Sequence, residues 1–243
     1  MGVNMNYSIE EIQIANLPCS IYLPPDYALQ TTRYSVIYIN GEVPITEILA
    51  ELRKISVPSD FLLLSVRPQN WNNDFTPWKA PAFRDGEDAP KGNADIYITK
   101  LINEIKPYMD ENYRTKTKPE DNILLGYSLG GLTALYTLCK TDIFSKIGSL
   151  SGSLWYDGFI DFMEKQKFAD KNRRVYLSLG KKEKKSRNPK MGQITECTQR
   201  IHCILERELG KGKVIFEWND GGHFHEIPKR FAKALKWLLQ TDI

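Results

Sequence analysis

Short apolar runs recur along the chain at 34–39, 61–66, 122–125, 146–150, 174–179 and 213–218, each rich in β-branched, aromatic or leucine residues. Each is read as a strand. Between them the apolar positions change period. Ile45, Ile48, Leu49 and Leu52 share one face of a 3.6-residue repeat, as do Ile98, Leu101, Ile105, Tyr108 and Met109. Further helices are predicted over 129–139, 158–168, 192–209 and 228–239. The strands are continuous apolar runs rather than alternating ones, which is what a parallel sheet covered by helices on both faces requires. The prediction is one doubly wound α/β domain spanning 1–243. The first 30 residues differ: Ile9, Ile12 and Ile14 precede Ile21, Tyr22 and Leu23, which predicts an antiparallel pair at the sheet edge, closed by Pro24-Pro25.

One stretch, 67–94, has no sustained period and carries four prolines and four aromatic rings. A loop of this length that leaves the carboxyl end of a strand is expected to be functional, because open α/β sheets place their clefts there. The segment 140–173 has room only for a strand, a helix and their connections, so no large lid domain is expected.

Composition excludes several classes of function. With 42% hydrophobic and 26% charged residues, the chain is an ordinary globular sequence rather than a disordered or fibrous one. A net charge of +3 is too small to imply a nucleic-acid surface, although Lys181, Lys182, Lys184, Lys185, Arg187 and Lys190 form one basic cluster. Its plain reading is a solvated loop; its functional reading is recognition of an acidic ligand. The longest apolar run is too short to span a membrane. The start has neither a basic segment followed by an apolar one nor an acylation signal, Asn6 standing where Ser or Thr is needed, so a cytoplasmic protein is expected. Cys19, Cys139, Cys197 and Cys203 lack paired spacing and are read as reduced thiols. No metal or cofactor is expected. The sequence says nothing about oligomeric state.

The sharpest chemical signal is Gly126-Tyr127-Ser128-Leu129-Gly130, followed by Gly131. A strand ends just before it and a helix begins just after it, which is the setting of a nucleophile elbow, with Ser128 in a strained turn and small residues around it. A glycine-rich helix cap is the plainer reading. A serine hydroxyl needs a positioned base. Of three histidines, His223 lies in Gly221-Gly222-His223-Phe224-His225, between the last predicted strand and the final helix, where this type of fold delivers its base. The two glycines let the loop turn His223 towards the cleft; His225 is the competing choice. His202 falls inside a predicted helix and is read as a surface residue. The acid is assigned to Glu183, in the loop after 174–179, with Asp220 and Glu196 as alternatives and a Ser-His pair without a third member also open. The oxyanion donors are expected to be the backbone N–H of Leu129 and that of Glu42, after Asn40-Gly41.

Gly126-Tyr127-Ser128-Leu129-Gly130-Gly131, the run SLSGSLWY at 149–156, Leu179-Gly180-x-x-Glu183 and Gly221-Gly222-His223-Phe224 together resemble the putative esterase family of α/β-hydrolases. That family includes enterochelin esterases, S-formylglutathione hydrolases, feruloyl esterases and mycolyltransferases. The resemblance runs from about residue 20 to 240 and leans towards single-domain siderophore-esterase-like bacterial members. It implies an α/β-hydrolase with Ser128 as nucleophile, His223 as base and the residue after Asn40-Gly41 as second oxyanion donor. The family more usually has Asp-Gly at that last place, and its acid varies between members. Arg67 and the segment 74–78 resemble a substrate-side loop of the siderophore-esterase branch, and Trp155 a cleft residue there. Arg67 is then expected to hold an acidic or catecholate group, with Trp71, Trp78 and Trp155 stacking on a ring or burying acyl carbon; packing of these rings onto the body is the alternative. The expected function is cleavage of a small-molecule carboxylic ester, of siderophore or aryl/acyl type. An acyltransferase using the same residues and a non-catalytic ligand binder are the rivals.

Overall fold

The computed structural model describes residues 7–25 and 27–240, so the N-terminal residues read for leader and acylation signals, 1–6, lie outside the described residues. In chain order the elements are β1 (Ser8–Ile14), β2 (Leu17–Leu23), β3 (Ser35–Asn40), α1 (Ile45–Lys54), β4 (Phe61–Val66), α2 (Trp71–Asp74), α3 (Ala94–Lys100), α4 (Lys106–Asn112), β5 (Asn122–Tyr127), α5 (Leu129–Leu138), β6 (Lys146–Leu150), α6 (Phe159–Glu164), β7 (Arg174–Gly180), α7 (Pro189–Gly192), α8 (Ile194–Leu209), β8 (Val214–Asn219) and α9 (Ile227–Leu238). The strands form one sheet in the order β1-β2-β4-β3-β5-β6-β7-β8. β3 to β8 are mutually parallel, while β1 and β2 add an antiparallel edge, β2 pairing antiparallel with β4.

Strand periodicity divides the core between the two faces of the sheet. Val36, Tyr38, Leu62, Leu64, Leu124, Val175 and Leu177 point into one layer, which α3, α4, α5, α6 and α8 cover. Ile37, Ile39, Leu63, Ile123, Leu125 and Tyr176 point into the other, closed by the apolar faces of α1 and α9. Among the described residues no helix is long and apolar enough to cross a membrane.

The predicted strands at 61–66 and 146–150 coincide with β4 and β6, whereas two predicted helices change extent. The face read over 98–109 belongs to a longer helical segment, 94–112, in which a π-helical turn at Leu101–Ile105 joins α3 to α4. The helix read over 158–168 stops at Glu164; Gly158 precedes it in a left-handed conformation, φ +79°, and Phe168 is buried beyond its end. Because β5 to β8 are parallel, the loops following them all emerge on one edge of the sheet. That edge carries Ser128, Ser153, Glu183 and His223.

Candidate active site

β5 runs directly into α5 with Ser128 as the only residue between them. Its backbone is held at φ +56°, ψ −121°, a conformation L-residues rarely adopt and one that costs on the order of 1–3 kcal/mol. The surroundings enforce it. Ser128 N donates to Leu150 O at 3.1 Å, and Ser128 O accepts from Gly131 N, Leu132 N and Ser153 N at 3.0–3.1 Å. The tight turn also requires glycine: a Cβ on Gly126 would lie 2.1 Å from the Gly130 carbonyl. All ten residues of α5 are buried, which fixes the turn to the body of the protein.

Loops after β7 and β8 bring two further groups to Ser128. His223 Nε2 lies 3.1 Å from Ser128 Oγ, and His223 Nδ1 lies 2.8 Å from Glu183 Oε2. An ionised carboxylate only accepts, so Nδ1 carries the proton and Nε2 presents a lone pair to the serine hydroxyl. This arrangement can pass the Ser128 proton to an imidazole whose charge the glutamate then balances. Ser153 Oγ lies 3.4 Å from Ser128 Oγ on another side.

Glu183 is almost fully buried, its side chain 2% exposed, and is saturated with donors. Oε1 accepts from Ser151 Oγ at 2.7 Å, Gly180 N at 2.7 Å and Arg230 Nη1 at 3.0 Å. Burial by itself raises the carboxyl pKa, but the bonds from His223, Ser151 and Gly180 together with the His223 charge outweigh it and hold the group below its usual 4.5. A carboxylate depressed in the folded state adds stability above its unfolded pKa and loses it as pH falls through the folded value. This cluster therefore weakens on the acid side of pH 4.5.

Arg230, from α9, ties these segments together. Its side chain is 1% exposed. Nη1 also donates to Tyr127 Oη at 3.0 Å, and Nη2 donates to Gly222 O at 2.7 Å and Asp220 O at 3.3 Å. Tyr127 in turn donates to the His223 carbonyl, and burial pushes its phenol up to about 12, so that it stays a donor at neutral pH. One guanidinium thus links the residue before Ser128, the acid and the histidine loop. Arg230→Met is expected to destabilise the protein by roughly 3–5 kcal/mol, because a buried charge pair loses one member. Equilibrium denaturation would show this as a lower midpoint; an unchanged midpoint would remove the clamp from the account.

Leu129 is the first residue of α5, so its N–H has no acceptor within the helix and is available to a developing oxyanion. The end of β3 lies against this turn: Asn40 Nδ2 donates to Gly130 O at 3.1 Å and Asn40 Oδ1 accepts from Tyr97 Oη at 2.9 Å. The following loop is pinned by Gly41 N to Val66 O at 2.8 Å and by Ser65 Oγ to Gly41 O at 2.7 Å. Gly41 takes φ +104°, and Glu42 follows it.

Two cavities meet at Ser128. The larger, about 420 Å³, is bordered by His223, Trp155, Lys182, Lys185, Ile194 and Phe224. The smaller, about 190 Å³, is bordered by Leu129, Trp71, Phe83 and Glu87; Arg84, Ser153, Trp155 and Met191 border both. The long loop at 67–94 thus supplies much of the smaller wall.

Two expected substrate residues lie elsewhere. Trp78 is packed among Tyr136, Tyr156, Phe159 and Phe162 at ring distances of 5.5–6.4 Å, with Nε1 donating to Asp157 O at 2.8 Å, so its ring belongs to the core rather than the cleft. Arg67 borders neither cavity; its guanidinium is paired with Glu42 at 2.8 Å on the surface. The alternative base and acids also point away. His225 is 53% exposed beside Glu226, His202 faces Glu206 and Phe216 on α8, Asp220 pairs with Lys181, and Glu196 is exposed on α8. Ser153, Arg84, Met191, Ile194, Phe224 and Arg230 were not foreseen as site residues. Ser153 lies in the recognised run 149–156, whereas nothing in the sequence marks Arg230.

A model of the family described as putative esterase matches residues 15–226. A relative from Bacillus subtilis (strain 168), "Uncharacterized protein YbbA", is 26% identical over 242 residues, covering 96% of this chain and 97% of its own. Among solved structures, an IroE-like serine hydrolase from Shewanella oneidensis superposes with a TM-score of 0.76 at 18% identity, over 94% of this chain and 78% of that one. Siderophore hydrolase EstA from Aspergillus nidulans superposes with a TM-score of 0.74 at 17% identity, over 98% and 95% of the two chains.

Proposed function

The chain belongs to the putative esterase family and is a carboxylic ester hydrolase, and from that premise we propose that it works through an acyl-enzyme on Ser128, with the whole chain acting as one α/β-hydrolase domain. His223 Nε2 takes the hydroxyl proton as Oγ attacks the ester carbonyl. The N–H groups of Leu129 and Glu42 receive the oxyanion. His223 then returns the proton to the leaving alcohol, and water, activated by the same imidazole, releases the acid. Glu183 keeps the histidine in the required tautomer and balances its charge. The observation that carries this reading is the unbroken hydrogen-bonded series from Ser128 Oγ through His223 to the buried Glu183 carboxylate.

The substrate is proposed to be a siderophore-type or aryl/acyl ester. EstA is named a siderophore hydrolase, and Trp155, which borders both cavities, offers an aromatic face beside Ser128. A fluorophosphonate probe is expected to label the protein at one site, with the adduct mass on the peptide containing Ser128. No labelling would favour a ligand-binding role instead. Product analysis with an added alcohol separates the remaining possibility: free acid indicates hydrolysis, whereas a new ester indicates acyl transfer.

A further inference from the structure

The two cavities differ in charge, and their places around Ser128 assign them to different halves of the substrate. Four groups surround the carbon of a tetrahedral intermediate: Oγ of the serine, the oxyanion, the leaving oxygen and the acyl chain. The leaving oxygen must face the imidazole that protonates it. The larger cavity, the one bordered by His223, is therefore the alcohol side. The smaller, which holds Leu129 and lacks His223, is the acyl side.

On the alcohol side Lys182 and Lys185 are exposed and form no ion pair among the described residues. Glu183, the carboxylate bordering that cavity, is buried and already takes four donors. Arg84 borders both cavities and pairs with Glu87 at 3.4 Å, so it leaves the acyl side balanced and, among the described residues, Lys182 and Lys185 as the uncompensated cations of the alcohol side. Phe224, 84% exposed, and Ile194 give the alcohol side an apolar wall as well. A volume of about 190 Å³ leaves the acyl side room for a short chain, against about 420 Å³ opposite.

We propose that the preferred substrates are esters of a short acid whose leaving alcohol has an apolar body and an anionic group, held by Lys182 and Lys185. This rests on the serine-esterase reading above and deepens it by naming which half of the ester bears the charge.

The test compares kcat/KM for 3-acetoxybenzoate and 3-acetoxybenzamide, whose phenols have similar acidity and differ in charge. Two exposed ammonium groups are expected to favour the benzoate roughly 5- to 20-fold at low salt. The preference should fall towards one in 0.5 M NaCl, where screening is strong, and in the double variant Lys182→Gln, Lys185→Gln. Lengthening the acyl group from acetyl to octanoyl should lower kcat/KM. Turnover of the neutral ester without a preference for the anion would overturn the inference and leave the esterase reading intact, as would a preference that survives both salt and the double variant. If neither ester is hydrolysed while p-nitrophenyl acetate is, this inference falls and the esterase reading stands; if p-nitrophenyl acetate is not hydrolysed either, the Ser128 acyl-enzyme reading falls and this inference with it.

Discussion

Ser128→Ala is expected to abolish hydrolysis of p-nitrophenyl acetate, with a loss in kcat on the order of 10⁶, while the protein stays folded. The size follows from chemistry rather than from binding: without Oγ no acyl-enzyme can form, and the N–H donors and cavities would retain only the slow attack of water. The fold is expected to survive because the bonds that hold the turn are backbone bonds. Ser128 N to Leu150 O, and Ser128 O from Gly131 N, Leu132 N and Ser153 N, are all kept by alanine. Side-chain losses are limited to one bond at 3.1 Å to His223 and one at 3.4 Å to Ser153. Alanine carries the same Cβ at φ +56°, so the backbone strain is not relieved or increased. Turnover measured beside a denaturation curve checks both halves. Retained turnover with an unchanged curve would remove Ser128 as nucleophile.

Much of the fold was legible because its strands are buried on both sides. A run such as Phe-Leu-Leu-Leu-Ser-Val at 61–66 leaves few alternatives in a chain that otherwise shows helical period, and it coincides with β4. The pair at the N-terminal edge was legible for a different reason. β1 is largely exposed, and Ile12 and Ile14 alternate with Gln13 to place apolar side chains on its inner face, while Ile9 lies on the opposite, wet face. What the period could not convey was where helices end. A π turn at Leu101–Ile105 shifts the helical phase without a residue that announces it, and α6 stops at Glu164 because tertiary packing takes Phe168 instead.

The three residues brought together at the sheet edge were legible because each combines a reactive side chain with a local device that strand order places. Ser128 has its elbow, Glu183 follows β7, and His223 follows β8 after two glycines. Arg230 shows the opposite case. An arginine in a helix with strong apolar periodicity reads as solvated, and only the tertiary structure shows it buried between three loops. Trp78 and Arg67 failed for a related reason. A motif fixes which segment lies near a cleft but not which way each side chain turns; Trp78 turned into a ring cluster and Arg67 towards Glu42.

His223→Ala is expected to lower kcat by a similar order, about 10⁶, whereas His225→Ala should leave it within a few-fold of the parent. The two residues lie two positions apart, and their surroundings separate them. The His223 ring is bonded to Ser128 and Glu183 at 3.1 and 2.8 Å; the His225 side chain is 53% exposed and rests on Gly221, where a Cβ would come within 2.3 Å of its ring. Removing the His223 ring also strips the buried Glu183 carboxylate of one donor, a cost of about 1–3 kcal/mol. Activity must therefore be read on protein shown to be folded. Added imidazole supplies a chemical control, because the space left beside Ser128 Oγ can admit the free base. Partial recovery is expected in His223→Ala and none in Ser128→Ala, since a base without its nucleophile has no proton to take. Equal losses in the two histidine variants would instead mean that the loop after β8 contributes to the site as a unit, and the assignment of the base to His223 would fall.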